Sequence, residues 1–211
     1  MKKSRLTDSQ LLAHTNFYLD TNNYYNYFDC LWSQEQASIT SVGDVTPAYA
    51  MLPIEASEKI KAGLEARGFN VKVVFLMRDP IERCWSALRM GRRNRINSDP
   101  SLVLADEQDA MGRAYKANAF ELRTRYELTI NNLESVFKSK KYFYGFYETL
   151  FDKRTLNDIK SFLNLDNFEP DVTQKINVSE KTTFKIKDEL AKEIFDFYKE
   201  TYEFCDQKFN I

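Results

Sequence analysis

The feature that most constrains the fold is the nearly continuous apolar run of residues 71–77, Val-Lys-Val-Val-Phe-Leu-Met. Such a run is typical of a central strand in a parallel sheet, because that strand is covered on both faces. The run ends at Arg78, and Asp79 and Pro80 then suit the N-cap and the first position of a helix. The pattern predicts a strand, a turn and a helix, with Arg78 at the carboxyl edge, where open parallel sheets bind ligands.

Further strand and helix patterns alternate along the chain. Residues 141–147 predict a second strand, and residues 41–49 predict a short strand that runs into a turn at Pro47. Apolar spacing predicts helices at residues 53–67, 80–91, 114–137, 156–163 and 188–204. Residues 92–110 are polar, and we expect them to be irregular. The alternation predicts one α/β domain over residues 1–211 with a mostly parallel sheet.

Composition argues against several classes of partner and site. The chain has 30 Lys and Arg against 31 Asp and Glu, so its net charge favours neither nucleic acid nor an anionic membrane. The 3 cysteines are widely spaced and the single histidine is His14, so we expect no metal site of the usual zinc kind. No apolar run is long enough to span a membrane. These features lead us to expect a soluble, cytoplasmic protein in a reducing compartment.

Ser86 follows Arg78 by eight residues, about two helical turns into the predicted helix. If that helix folds back along the strand, the guanidinium and the hydroxyl could converge on one anion. Two local alternatives stay open. Arg78 could pair with a nearby carboxylate, that of Asp79 or of Glu82, and Ser86 could bond back to the preceding turn.

The stretch from Arg78-Asp-Pro80 to Ser86 resembles the segment that grips the donor's 3′-phosphate in sulfotransferases that use PAPS (3′-phosphoadenosine-5′-phosphosulfate). Other elements similar to that family follow in its order, and its carbohydrate-type and bacterial branch is the nearest in pattern. They are Gly43-Asp-Val-Thr-Pro-Ala-Tyr49, Tyr147-Glu-Thr-Leu150, Phe162-Leu-Asn-Leu165 and Asn177-Val-Ser-Glu-Lys181. The resemblance spans roughly residues 40–205.

The resemblance implies a three-layer fold related to P-loop kinases, in which helices cover both faces of a parallel sheet. It implies that Arg78 and Ser86 hold the 3′-phosphate, and that Tyr147 and Lys181 also contact the donor. Asp44 would remove the acceptor's proton. The implied reaction transfers a sulfuryl group from PAPS to a hydroxyl or amine of a small-molecule or carbohydrate acceptor. It releases PAP (adenosine 3′,5′-bisphosphate).

Two departures from the family pattern leave alternatives open. Asp44 stands where the family usually has Glu, often followed by Lys, and it could instead be a turn or cap aspartate. The family's glycine-rich, lysine-containing loop for the 5′-phosphosulfate is missing, because no glycine precedes Gly43. The Gly63–Gly68 spacing leads from a helix into a strand, the reverse of the order in a phosphate loop.

The missing loop leads us to expect an N-terminally shortened family member. One alternative is a catalytically inactive module that binds a nucleotide or a partner. Another is a different nucleotide-dependent enzyme, such as a small-molecule kinase. Loss of a first strand could expose a sheet edge, which makes a homodimer a further hypothesis.

Overall fold

A computed structural model describes residues 20–34, 39–99, 106–165, 168–173 and 186–211. These residues form a mixed α/β structure that is mostly helical, with a small parallel sheet of two strands, β1 (Val73–Met77) and β2 (Tyr142–Phe146). The helices are α1 (Thr21–Gln34), α2 (Ile54–Glu65), α3 (Pro80–Ser98), α4 (Glu107–Ala114), α5 (Asn118–Thr124), α6 (Tyr126–Val136), α7 (Lys153–Leu163), α8 (Asp188–Phe197) and α9 (Lys199–Phe209). Short 3₁₀-helices cover Pro47–Met51 and Tyr147–Thr149.

Both strands and the helix start at Asp79 are confirmed. The Asp79 side chain accepts a hydrogen bond from the Glu82 N–H, as an N-cap does, and Pro80 is the first helical residue. Gly68, at φ 83°, ends the turn after α2 in the left-handed region that favours glycine. The coarse prediction of a mixed α/β fold is thus confirmed. A two-stranded sheet does not establish the three-layer arrangement, which stays a prediction.

The prediction of a strand at residues 41–49 is wrong. Residues 41–46 have no regular structure, and Pro47–Met51 forms a 3₁₀-helix. The physical reason is local: the Asp44 carboxylate accepts a hydrogen bond from the Thr46 hydroxyl at 2.7 Å, and such side-chain bonds compete with sheet pairing.

Three helix predictions also differ from the structure. The helix that begins at Pro80 continues to Ser98, so residues 92–98 are helical where irregular chain was expected. The predicted helix over residues 114–137 is interrupted, because Ala117 (ψ 138°) and Arg125 (ψ 78°) leave the helical region. The last predicted helix is divided at Tyr198 (φ −100°, ψ 18°) into α8 and α9.

Two clusters of buried side chains form much of the core. One packs α3 against α4 and α8, and it contains Cys84, Trp85, Met111, Tyr115, Ile194 and Tyr198. The other packs one face of the sheet against α6 and α9, and it contains Met77, Tyr126, Ile130 and Cys205. Each large side chain buried in this way stabilises the fold by about 1.5–3 kcal/mol.

Alternation along the strands decides which helix each side chain meets. Phe75 and Phe146 face α6 and α9, where Phe75 contacts Tyr126 with ring centroids 5.8 Å apart and Phe146 contacts Phe209 at 5.2 Å. Phe143 points the other way and meets Phe162 of α7 at 5.7 Å. Helices α6 and α9 thus pack against one face of the sheet and α7 packs against the other, and the residues that follow the strands lie at the carboxyl edge.

Candidate functional site

Arg78 lies at the carboxyl edge of the sheet beside Tyr147. The strands are parallel and Met77 pairs with Phe146, so the residues that follow them are neighbours. The Arg78 guanidinium carbon is 4.7 Å from the centroid of the Tyr147 ring, within the range of a cation–π contact. The structure therefore brings together two of the residues predicted to contact the donor.

One nitrogen of the Arg78 guanidinium is buried without a partner. Arg78 Nη2 donates to Glu82 Oε2 at 3.0 Å, but Nε is buried and makes no hydrogen bond to any residue that the structure describes. A buried donor without an acceptor costs about 1–3 kcal/mol. An anion that accepted this hydrogen bond would remove that cost.

The backbone of Arg78 is fixed by Tyr126 at the start of α6. The Tyr126 hydroxyl donates to the Arg78 carbonyl at 2.8 Å and accepts from the Arg78 N–H at 3.3 Å. Tyr126 is only 4% exposed, and burial raises the pKa of its phenol. The hydroxyl therefore stays protonated, and the end of β1 keeps a defined position.

Asp79 connects three elements at the same edge. Its N–H donates to Glu148 Oε1 at 3.0 Å, directly after β2. Its carboxylate accepts from the Glu82 N–H at 2.9 Å and from the Tyr202 hydroxyl of α9 at 2.8 Å. Burial, and then the hydrogen bond to Asp79, raise the pKa of Tyr202. Both Asp79 oxygens are thus engaged in holding the edge together.

Ser86 is exposed on α3, and its hydroxyl makes no hydrogen bond within the described part of the chain. Glu82 and Ser86 are four residues apart in α3, so they lie on one side of that helix. Arg78 precedes the Asp79 N-cap and is outside the helix, so the convergence of Arg78 and Ser86 on one anion stays a prediction. The pairing of Arg78 with Glu82 is the local alternative that the sequence left open.

Asp44 belongs to a second group of side chains. Its carboxylate accepts from the Thr46 hydroxyl at 2.7 Å and from the Tyr49 hydroxyl through a short hydrogen bond. The Tyr49 hydroxyl is also 3.2 Å from that of Tyr24 in α1. Burial, and then the hydrogen bond to Asp44, raise the pKa of Tyr49. Asp44 is itself exposed, so its oxygens are held in orientation but remain open to solvent.

Helix α6 anchors both groups. Tyr126 bonds to the Arg78 backbone, and one turn later Thr129 Oγ1 donates to the Ala50 carbonyl at 2.9 Å, within the 3₁₀-helix that follows Asp44. Asn132 adds a bond to the Leu52 carbonyl at 3.3 Å. No hydrogen bond or ion pair between described residues joins Asp44 to Arg78 directly. The same helix therefore positions both groups.

Lys181, the remaining residue predicted to contact the donor, lies outside the described residues. In the ranges that the structure covers, no three His, Cys, Asp or Glu side chains are arranged to hold a metal ion. None of the helices in those ranges is both long enough and apolar enough to cross a membrane.

Two residues that hold the edge were not predicted as site residues. Glu148 accepts from the Asp79 N–H, and Tyr126 supports Arg78. Glu148 stands in the Tyr147-Glu-Thr-Leu150 element, so its place after the second strand was a usable signal. Tyr126 gave no such signal, because its role depends on how α6 packs against β1.

No family model matches the chain, and no curated protein matches it either. The sheet edge offers a guanidinium with a buried unpaired donor and an aromatic ring, which suit an anion of phosphate type. The Asp44 group offers an oriented carboxylate that could accept a proton.

Proposed function

We propose that this protein is a PAPS-dependent sulfotransferase whose acceptor is a small molecule or a carbohydrate with a hydroxyl or amine. The observation that carries the proposal is the Arg78 guanidinium at the carboxyl edge of β1, stacked on Tyr147, with a buried Nε that no described residue satisfies. A phosphate oxygen would satisfy that donor. The proposal includes the three-layer fold of that enzyme family. In that fold, β1 and β2 would be two strands of the central parallel sheet.

In the proposed reaction the two groups of side chains have separate tasks. Arg78 and Ser86 would hold the nucleotide's 3′-phosphate, and Tyr147 and Lys181 would also contact the donor. Asp44 would accept the acceptor's proton. A bond from sulfur to the acceptor oxygen or nitrogen forms as the bond from sulfur to the bridging oxygen of the 5′-phosphate breaks. PAP leaves with that electron pair.

Titration of PAP into the purified protein by calorimetry tests the nucleotide site. Arg78→Ala should weaken PAP binding roughly ten- to a hundredfold, because a hydrogen bond to a charged group contributes about 1.5–3 kcal/mol. Arg154→Ala is the matched control, since it also removes one positive charge, from an exposed position on α7, and it should bind PAP as the wild type does. Wild-type protein that does not bind PAP would overturn the proposal.

A second experiment tests the transfer step apart from binding. PAPS is incubated with the protein and mixtures of hydroxyl and amine acceptors, and the release of PAP is measured. Asp44→Asn should keep the PAP affinity of the wild type. Its rate of PAP release should fall by about two orders of magnitude or more, the usual contribution of a general base. Unchanged release in Asp44→Asn would remove Asp44 from the mechanism.

A second candidate function is a catalytically inactive module that keeps the nucleotide site. The observation that favours it is the absence of glycine from residues 1–42, so that no glycine-rich phosphate loop precedes Thr46 and Pro47 in this sequence. This candidate predicts that the protein binds PAP through Arg78 and releases none from PAPS with any acceptor.

A further inference from the structure

We propose that Glu82 is a built-in competitor for Arg78, and that its carboxylate occupies the guanidinium until the nucleotide's 3′-phosphate displaces it. This inference rests on the proposed function, since it concerns the same anion site. It assigns Glu82 a role in setting nucleotide affinity and in selecting doubly charged phosphate over weaker anions. It was not evident from the sequence, where Glu82 appeared only as one possible local partner of Arg78.

The first observation is that Glu82 does not perform the capping task typical of its position. Asp79 is the N-cap of α3, so Glu82 is its third helical residue, where a Glu side chain often bonds back to the N-cap N–H. That N–H is already taken by Glu148 Oε1 at 3.0 Å. The Glu82 side chain instead accepts from Arg78 Nη2 at 3.0 Å.

The second observation is that the Arg78–Glu82 pair can be broken easily. The Glu82 side chain is 55% exposed and that of Arg78 is 28% exposed. Exposed pairs four residues apart contribute little to stability, because both charges are hydrated when separated. The Glu82 backbone N–H bonds to Asp79 independently of the side chain, so the carboxylate could swing into solvent while α3 stays in place.

The third observation is that Arg78 Nη2 is occupied by the Glu82 carboxylate. An anion bound through this nitrogen would have to replace that carboxylate. A phosphate monoester carries about −1.5 to −2 charges near neutral pH, compared with −1 for a carboxylate. A doubly charged ligand therefore competes well for Arg78, whereas a singly charged one must displace a group of equal charge.

The experiment is titration of PAP into the full chain and into Glu82→Gln, at fixed low salt. Glu82→Gln keeps the size and shape of the side chain but removes the charge, and it should bind PAP about three- to tenfold more tightly than the wild type. Glu58→Gln on α2 is the matched control, because it removes one negative charge from another exposed site, and it should bind PAP as the wild type does.

The same substitution in the Arg78→Ala background completes a double-mutant cycle. If Glu82 competes for Arg78, the gain from Glu82→Gln should largely disappear when Arg78 is absent. Glu82→Gln that binds PAP no more tightly than the wild type would overturn the inference and leave the proposed function standing. The same would follow if the full gain persisted without Arg78. Failure of every variant to bind PAP would overturn both.

Discussion

The Tyr25 ring occupies the space in which a side chain on Gly63 would begin: a Cβ added to Gly63 would lie 2.2 Å from Tyr25 Cζ. The Tyr25 hydroxyl donates to the Lys59 carbonyl at 2.9 Å, and the Arg67 guanidinium carbon lies 4.8 Å from the centroid of the same ring. The Tyr25 ring of α1 thus packs directly against Gly63 of α2, a position at which a larger residue would overlap the ring. This contact involves no residue of the candidate site.

Gly63→Ala should destabilise the protein by about 1–3 kcal/mol, because the new methyl group must displace the Tyr25 ring. Gly91→Ala on α3 is the control, since no described atom lies within 4 Å of its added Cβ. The control should stabilise by roughly 0.5–1 kcal/mol through helix propensity. Urea unfolding of both variants measures the difference. Equal free energies of unfolding would contradict the contact.

Tyr126→Phe should lower the free energy of unfolding by about 1–3 kcal/mol, because the Arg78 carbonyl loses its donor and the Arg78 N–H loses its acceptor at a partly buried position. Tyr142→Phe is the control, as its hydroxyl makes no hydrogen bond among the described residues, and it should change stability by less than about 0.5 kcal/mol. Urea unfolding compares the two. A Tyr126→Phe variant as stable as the control would show that the hydroxyl does not hold the end of β1.

Asp79→Ala should destabilise more than Asp79→Asn. Alanine removes the N-cap of α3 and the acceptor for Tyr202, at a cost of about 0.5–2 kcal/mol for the cap alone. Asparagine keeps an oxygen that can cap the helix, so most of that loss should be avoided. Thermal unfolding ranks the three proteins. Equal destabilisation by the two substitutions would mean that the charge of Asp79, and not its hydrogen bonds, stabilises this edge.

Alkaline pH should destabilise the fold in a defined window. Burial raises the pKa of the Tyr126 phenol, and it raises that of the Cys205 thiol from 9.0 to about 11. In the unfolded chain these groups ionise near their ordinary values, while the folded state keeps them neutral. Their contribution is therefore fully present below about pH 9 and is lost as the pH rises through the folded values.

Urea unfolding at pH 7, 9 and 10.5 checks this window. Each buried group adds a slope of up to about 1.4 kcal/mol per pH unit between its unfolded and folded pKa values. Tyr126→Phe should lose less stability between pH 9 and 10.5 than the wild type does, since it has one ionisable phenol fewer. Parallel pH profiles would indicate that Tyr126 is not buried as the structure shows.

Features set by neighbouring residues were predictable. The apolar run before Arg78 identified β1, and Asp79-Pro80 identified the start of α3. The expectation that β1 is covered on both faces is wrong for the described residues, because Leu76 is 44% exposed in a sheet of two strands. Features that require distant partners were not predictable. The extent of α3 to Ser98 is an example, since Arg92 pairs with Glu107 of α4 at 3.6 Å, and polar composition had suggested irregular chain.

Some features of the candidate site were also predictable from the sequence, and others were not. The sequence predicted that Arg78 would stand at a sheet edge and that Tyr147 would be the last residue of a second strand. It could not predict that Met77 and Phe146 are in register, which makes those two residues neighbours. It also could not decide between Asp79 and Glu82 as the partner of Arg78, because that choice depends on Glu148 and Tyr202, which arrive from elsewhere in the chain.

By itself, then, the sequence determined the strand–turn–helix unit around Arg78 and the order of the candidate residues, because hydrophobic patterns and capping preferences act over a few positions. Only the tertiary structure decided that α6 anchors both Arg78 and the segment after Asp44, and that Glu82 holds the guanidinium. The contacts of α6 join residues up to 80 positions apart, as between Asn132 and Leu52. Packing selects such pairs from the whole chain, and no local pattern encodes them.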